Sequence, residues 1–180
     1  MDMRDDIKQV LISQQQLKEK VAQLGAKISS DYADKELLLV SVLKGSVVFM
    51  SDLMRAITIP CRIDFMSVSS YGNGVKTSGV VRIIKDLDKP IEGLDVLIVE
   101  DILDSGKTLS YILELLLARN PNSIRICTLL DKPERRQVDL TAEYTGFEVP
   151  DEFVVGYGLD FAEKYRNIPF VGILKPEVYE

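Results

Sequence analysis

Two stretches of this chain, 37–42 (Leu-Leu-Leu-Val-Ser-Val) and 96–99 (Val-Leu-Ile-Val), are apolar almost without a break. A strand with one wet face alternates apolar and polar residues, so runs of strand length without alternation belong to strands covered on both sides. The segments between and after them carry helical spacing. Ser13 and Gln16 are spaced for a capping box, and Leu17, Val21, Leu24 and Ile28 form one helical stripe that ends near Ser30. Residues 47–57 suit a second helix and 108–119 a third, stopped at Asn120-Pro121. Further strands are expected at 63–68, 80–84, 124–130, 153–155 and 171–174. Buried strands alternating with helices, at intervals too long for hairpins, define an α/β domain with a mainly parallel central sheet flanked by helices. No repeat or linker interrupts residues 1–180, which are expected to form a single domain. In such sheets ligands bind beyond the carboxyl ends of the strands, so chemistry is sought just after each apolar run.

Composition narrows the chemistry. With 180 residues and 46% apolar content the core needs no disulfide or metal staple, and Cys61 and Cys127, far apart with no CxxC spacing, are expected to be reduced core residues. The chain has no histidine, which excludes Ser-His-Asp and Cys-His triads, HExxH zinc sites and imidazole bases. A net charge of -6 argues against nucleic acid or a membrane surface as partner. The first residues lack a basic, then apolar, leader, and no apolar run approaches the ~18 residues of a membrane span, so the expected location is cytoplasmic.

The segment 96–109 carries the strongest signal: a buried strand runs into Glu100 and Asp101, then Asp104, then a turn of small residues that opens a helix. Ser105, Gly106, Lys107 and Thr108 put backbone N–H groups and hydroxyls at a helix N-terminus, a setting for phosphate. Gly-Lys-Thr alone suggests a P-loop, but the first glycine of that motif would fall on Asp101, and no GxGxxG occurs. Two bare carboxylates about 4 Å apart repel by roughly 1 kcal/mol in water and roughly 4 kcal/mol at an effective dielectric near 20. Such a pair calls for a cation or hydroxyl donors, which a ribose diol and Mg²⁺ would supply. The plainer alternative is a solvated acidic strand end with Asp104 as an N-cap.

The string Val99-Glu100-Asp101-Ile102-Leu103-Asp104-Ser105-Gly106-Lys107-Thr108 resembles the 5-phosphoribosyl pyrophosphate (PRPP) motif of type I phosphoribosyltransferases, in the form typical of the branch that acts on hypoxanthine and guanine. Leu43-Lys44-Gly45, Ser69-Ser70-Tyr71-Gly72, Leu130-Asp131-Lys132-Pro133 and the segment 150–160 with Tyr165-Arg166 follow in the family's order. The resemblance implies the type I fold with a small hood and a mobile flap loop, here the glycine-rich residues 70–79. It implies transfer of the phosphoribosyl group from PRPP to a 6-oxopurine with Mg²⁺ as cofactor, in a homodimer or homotetramer.

The same resemblance distributes the roles. Asp104 is expected to be the catalytic acid/base at the purine N7, and Glu100 and Asp101 to hold the ribose hydroxyls and, with Asp160, the metal. Ser105, Gly106, Lys107 and Thr108 would cradle the 5′-phosphate, while Lys44, Gly45, Ser70, Tyr71 and Arg166 would bind pyrophosphate. Lys44 lies in a loop that often carries a non-proline cis peptide in this family. Lys132, Phe153, Val154 and Asp160 would form the base site, with Lys132 donating to the 6-oxo group and Phe153 stacking on the ring. The alternative on the same fold is a PRPP-sensing regulatory protein without turnover.

Overall fold

A computed structural model describes residues 2–70 and 81–179. Its central sheet has six strands: β2 (Leu37–Val42), β3 (Cys61–Ser70), β4 (Val81–Lys85), β5 (Asp95–Leu103), β6 (Ser123–Asp131) and β7 (Tyr144–Glu148), in the spatial order β4-β3-β2-β5-β6-β7. All neighbours are parallel except β4, which returns antiparallel along β3. The helices are α1 (Gln14–Asp31), α2 (Val47–Ala56), α3 (Lys107–Leu117) and a terminal turn α4 (Pro176–Tyr179).

The unbroken apolar runs are divided between two cores. Leu37, Leu39, Leu97 and Val99 join Leu17, Val21, Leu24 and Ile28 of α1 and Phe49 and Leu53 of α2. Leu38, Val40, Val96 and Ile98 point the other way, onto Leu109, Ile112 and Leu116 of α3. Period-two side chains with helices on both faces are what such runs require. Ser13 caps α1 as its spacing predicts, accepting from the Gln16 N–H at 3.2 Å while Gln16 accepts from the Ser13 N–H at 2.8 Å.

The chain leaves β2 towards β3 on one side and later re-enters at β5 on the other. This makes the β2/β5 boundary the switch point at which the two following loops diverge and open a crevice. Glu100 and Asp101 are not beyond the strand end, as the sequence suggested, but within β5, and Asp104 directly follows it. Its pairing with β2 stops at Val99, whereas pairing with β6 continues through Leu103. Glu100 and Asp101 therefore lie where β5 has lost one neighbour, and the segment Leu43-Lys44-Gly45 turns across that vacated flank.

A second sheet forms the hood: β1 (Ile7–Ile12), β9 (Val171–Leu174) and β8 (Val154–Val155), ordered β1-β9-β8 and antiparallel. Strands β1 and β7 escape the sequence reading, because β1 is mostly exposed and β7 is a short edge strand with a glycine. Cys127 is buried as expected, but Cys61 is only half-buried, since it opens an outer strand instead of lying mid-sheet. Among the described residues no helix is long and apolar enough to cross a membrane.

Candidate active site

Two adjoining cavities open at the carboxyl ends of β2 and β5. The first, about 270 Å³, is lined by Gly45, Glu100, Asp101, Asp104, Ser105 and Thr108, with Gly106 among its walls. The second, about 220 Å³, is lined by Asp104, Lys132, Arg135, Phe153, Val154 and Asp160. Ile102 and Asp104 belong to both, so one carboxylate stands at the junction of an acidic, phosphate-type cradle and an aromatic compartment.

The cradle is built by backbone. Gly106 is the N-cap of α3 at φ +81, a left-handed conformation that glycine adopts without penalty. It lies beneath Arg136 and Val138, whose side chains are 3.1 and 2.8 Å from where a Cβ would stand. Arg136 braces this loop: its Nε donates to the Asp104 carbonyl at 3.1 Å, and its guanidinium also pairs with Asp131. Lys107 and Thr108 are exposed at the first turn of α3, where the helix dipole favours an anion.

The acidic floor is electrostatically uncomfortable. Glu100 and Asp101 are partly accessible through the cavity, yet protein surrounds them elsewhere. Enclosure, then the Asp101 charge, pushes Glu100 well above the usual carboxylate range. Asp101 is raised to about 6, chiefly by burial, although N–H groups including that of Ile102 and the charge of Arg166 oppose this. Among the described residues no three potential ligands converge as a protein-only metal site. Paired oxygen donors short of a counter-charge instead fit a hard cation such as Mg²⁺ that brings phosphate and water as its other ligands.

The raised pKa has a sign. Because folded Asp101 keeps its proton up to about pH 6, against 3.8 ordinarily, its contribution makes stability fall as pH rises through that interval. Above it the folded state bears the whole cost. Asp101→Asn is therefore expected to raise the melting temperature of the ligand-free protein near neutral pH, with the gain vanishing below about pH 4. Thermal melts across pH check this, and a lower melting temperature at neutral pH would assign the carboxylate a structural role.

The residues expected at the pyrophosphate meet in layers. The Leu43-Lys44 peptide is cis. A Cβ on Gly45 would lie 2.0 Å from Asp101 Oδ2, and one on Gly158 would lie 2.1 Å from the Gly45 carbonyl oxygen. Arg166 donates to the Gly158 carbonyl at 2.7 Å and pairs with Asp160 at 3.0 Å. Glu163 receives both Lys44, at 2.7 Å, and Arg166, at 3.3 Å. Lys44, Lys107 and Arg166 do not line either cavity in this arrangement. Ser70 closes β3, and Tyr71 and the rest of the expected flap lie outside the described residues.

In the aromatic compartment Lys132 is only 7% exposed, its Nζ donating to the Glu152 carbonyl at 2.6 Å, and burial lowers its pKa. Phe153 remains 37% exposed, and Val154 is buried in β8. Asp104 Oδ1 is enclosed with no hydrogen bond directed at it, although Arg135 Nε approaches to 2.8 Å as an ion pair. Arg135 also reaches Asp151 at 3.2 Å. Sequence reasoning missed Arg135, Arg136 and Glu163. The paired arginines after Lys132-Pro133 were a visible signal; Glu163 had none, since its partners are set by the hood loop.

A buried-strand acid pair, a phosphate cradle at a helix start and a base-sized aromatic compartment at a switch point define a nucleotide- or sugar-phosphate-handling transferase. Residues 9–162 match the model of the phosphoribosyl transferase domain, and the chain belongs to that family. It is 56% identical over 178 residues to the hypoxanthine-guanine phosphoribosyltransferase of Bacillus subtilis, covering 99% of each chain. The crystal structure of a hypoxanthine phosphoribosyltransferase from Staphylococcus aureus superposes with a TM-score of 0.96 at 53% identity, over 99% of this chain and 97% of that one. A hypoxanthine-guanine phosphoribosyltransferase structure from Bacillus anthracis superposes with a TM-score of 0.90, also at 53% identity, over 94% and 99%.

Proposed function

We infer that this chain is a purine-salvage enzyme that transfers the 5-phosphoribosyl group from PRPP to hypoxanthine or guanine, giving the nucleoside 5′-monophosphate and pyrophosphate. The observation that carries the chemical assignment is Asp104 at the meeting of the two cavities, its Oδ1 enclosed and approached only by the ion-paired Arg135 Nε. A purine N7–H there would donate to it. As the base attacks C1′ and pyrophosphate departs, the ring nitrogen acquires positive charge, and a carboxylate at hydrogen-bonding distance stabilises that charge and holds the proton. The α3 N-terminus orients the 5′-phosphate, and Glu100 and Asp101 hold the ribose hydroxyls. Glu100, Asp101 and Asp160 would hold Mg²⁺ together with PRPP, and the ion would supply charge neutralisation for the leaving pyrophosphate. Lys44, next to Gly45 of the first cavity, and Arg166, whose charge acts on Asp101, would bind the same anion in exchange for their pairs with Glu163 and Asp160. A cytoplasmic location suits these soluble substrates, and assembly into a dimer or tetramer follows the family.

The decisive experiment incubates purified protein with PRPP, Mg²⁺ and hypoxanthine, and expects inosine monophosphate with equimolar pyrophosphate. PRPP binding without product from hypoxanthine or guanine would favour a regulatory role. Lys132 also makes a prediction about the base. Its ammonium donates, so a 6-oxo group is accepted while a 6-amino group would face donor with donor. Adenine is expected to give no product, and Lys132→Met to raise KM for hypoxanthine by roughly 10-fold or more with PRPP affinity unchanged. Unaltered hypoxanthine KM would remove Lys132 from base recognition.

A further inference from the structure

Phe153 belongs to the base compartment, yet what fixes its ring lies in the last turn of the described chain. Tyr179 stacks on Phe153 with centroids 4.9 Å apart and planes 22° apart, and Phe161 meets the same ring edge-on at 5.6 Å and 89°. The backbone delivers the tyrosine there. Leu174 N–H of β9 donates to the Phe153 carbonyl at 2.9 Å, and Lys175 N–H donates to the Asp6 carbonyl at 2.9 Å. Pro176, with φ already set for a helix, then begins the turn that carries Tyr179 over the ring. Phe153 lines the base cavity and Tyr179 does not. The tyrosine thus covers the ring from outside the compartment.

We propose that Tyr179 is a positioning residue for base binding, holding the Phe153 ring in the orientation that receives the purine. The Phe153 backbone is tied to β9 through Leu174, so what remains to be fixed is its side chain, which is 37% exposed. A free ring would have to be ordered when the base arrives, at an entropic cost that weakens binding; a ring already packed on a face and an edge avoids that cost. The inference rests on the reading of Phe153 as the stacking partner of the purine.

The test measures both substrates. Tyr179→Ala is expected to raise KM for hypoxanthine about 3- to 10-fold, with kcat and the KM for PRPP within about 2-fold, whereas Tyr179→Phe keeps wild-type values. In a Phe153→Ala background the same Tyr179→Ala change should add nothing further to the hypoxanthine KM, because its effect passes through the lost ring. An unchanged KM in Tyr179→Ala, while Phe153→Ala raises it, overturns the role of Tyr179 and leaves Phe153 in place. An unchanged KM in Phe153→Ala removes Phe153 itself from base recognition. A parallel fall in kcat and both affinities with a lowered melting temperature overturns the proposal in favour of a purely structural tyrosine.

Discussion

Asp104→Asn is expected to lower kcat by roughly 100-fold or more while PRPP affinity stays within a few-fold of wild type. Asparagine keeps the shape of the side chain but not its charge, and its amide nitrogen is a donor, which opposes an N7–H. The loss falls mainly on the transition state, where positive charge on the base is greatest. Stability should change little, since the ion pair with Arg135 joins two side chains that are each nearly half exposed. Steady-state kinetics with titration calorimetry of PRPP separates the possibilities. An equal loss of PRPP affinity would make Asp104 a brace of the phosphate loop.

Gly158→Ala is expected to disrupt the site by a different route. Gly158 has φ +101, and its Cβ would come within 2.1 Å of the Gly45 carbonyl oxygen, a backbone atom that cannot swing aside. Gly45 itself rests on the Asp101 carboxylate, so relief at the first contact compresses the second. Strain of about 1–3 kcal/mol corresponds to a fall of roughly 2–12 °C in melting temperature for a chain of this size. A displacement near 1 Å of the Leu43-Lys44-Gly45 loop would cost about 100-fold in rate. Gly93→Ala is the comparison: φ is +75 there too, but nothing lies within 4 Å of the added Cβ. It should lose stability and keep its turnover. Equal turnover in both variants would refute the layered contact.

The sequence specified the central sheet well because its information is local. Unbroken apolar runs dictate two-sided burial, and the stripe from Leu17 to Ile28 dictates the helix that covers one side. The string from Glu100 to Thr108 located most of the first cavity for the same reason: its residues are consecutive, and a strand followed by a helix fixes their geometry. What escaped depends on distant partners. Strand β1 has no pattern of its own and exists because β9 pairs with it. The role of Arg136 depends on carbonyls more than thirty residues earlier, and that of Tyr179 on a ring that only the folded hood brings near.

The pairing of β1 with β9 sets an order of assembly. Residues 7–12 leave the ribosome early, but their hydrogen-bonding partner, residues 171–174, is made only after every strand of the central sheet. A nascent chain that has reached Glu148 already holds the whole phosphate cradle and both cores' helices, yet neither Phe153 nor the strand that β1 awaits. The loop and helix start that line the first cavity are therefore complete in sequence before Phe153, Asp160 and Arg166 are made. Closing the hood is the long-range, late step of biosynthesis.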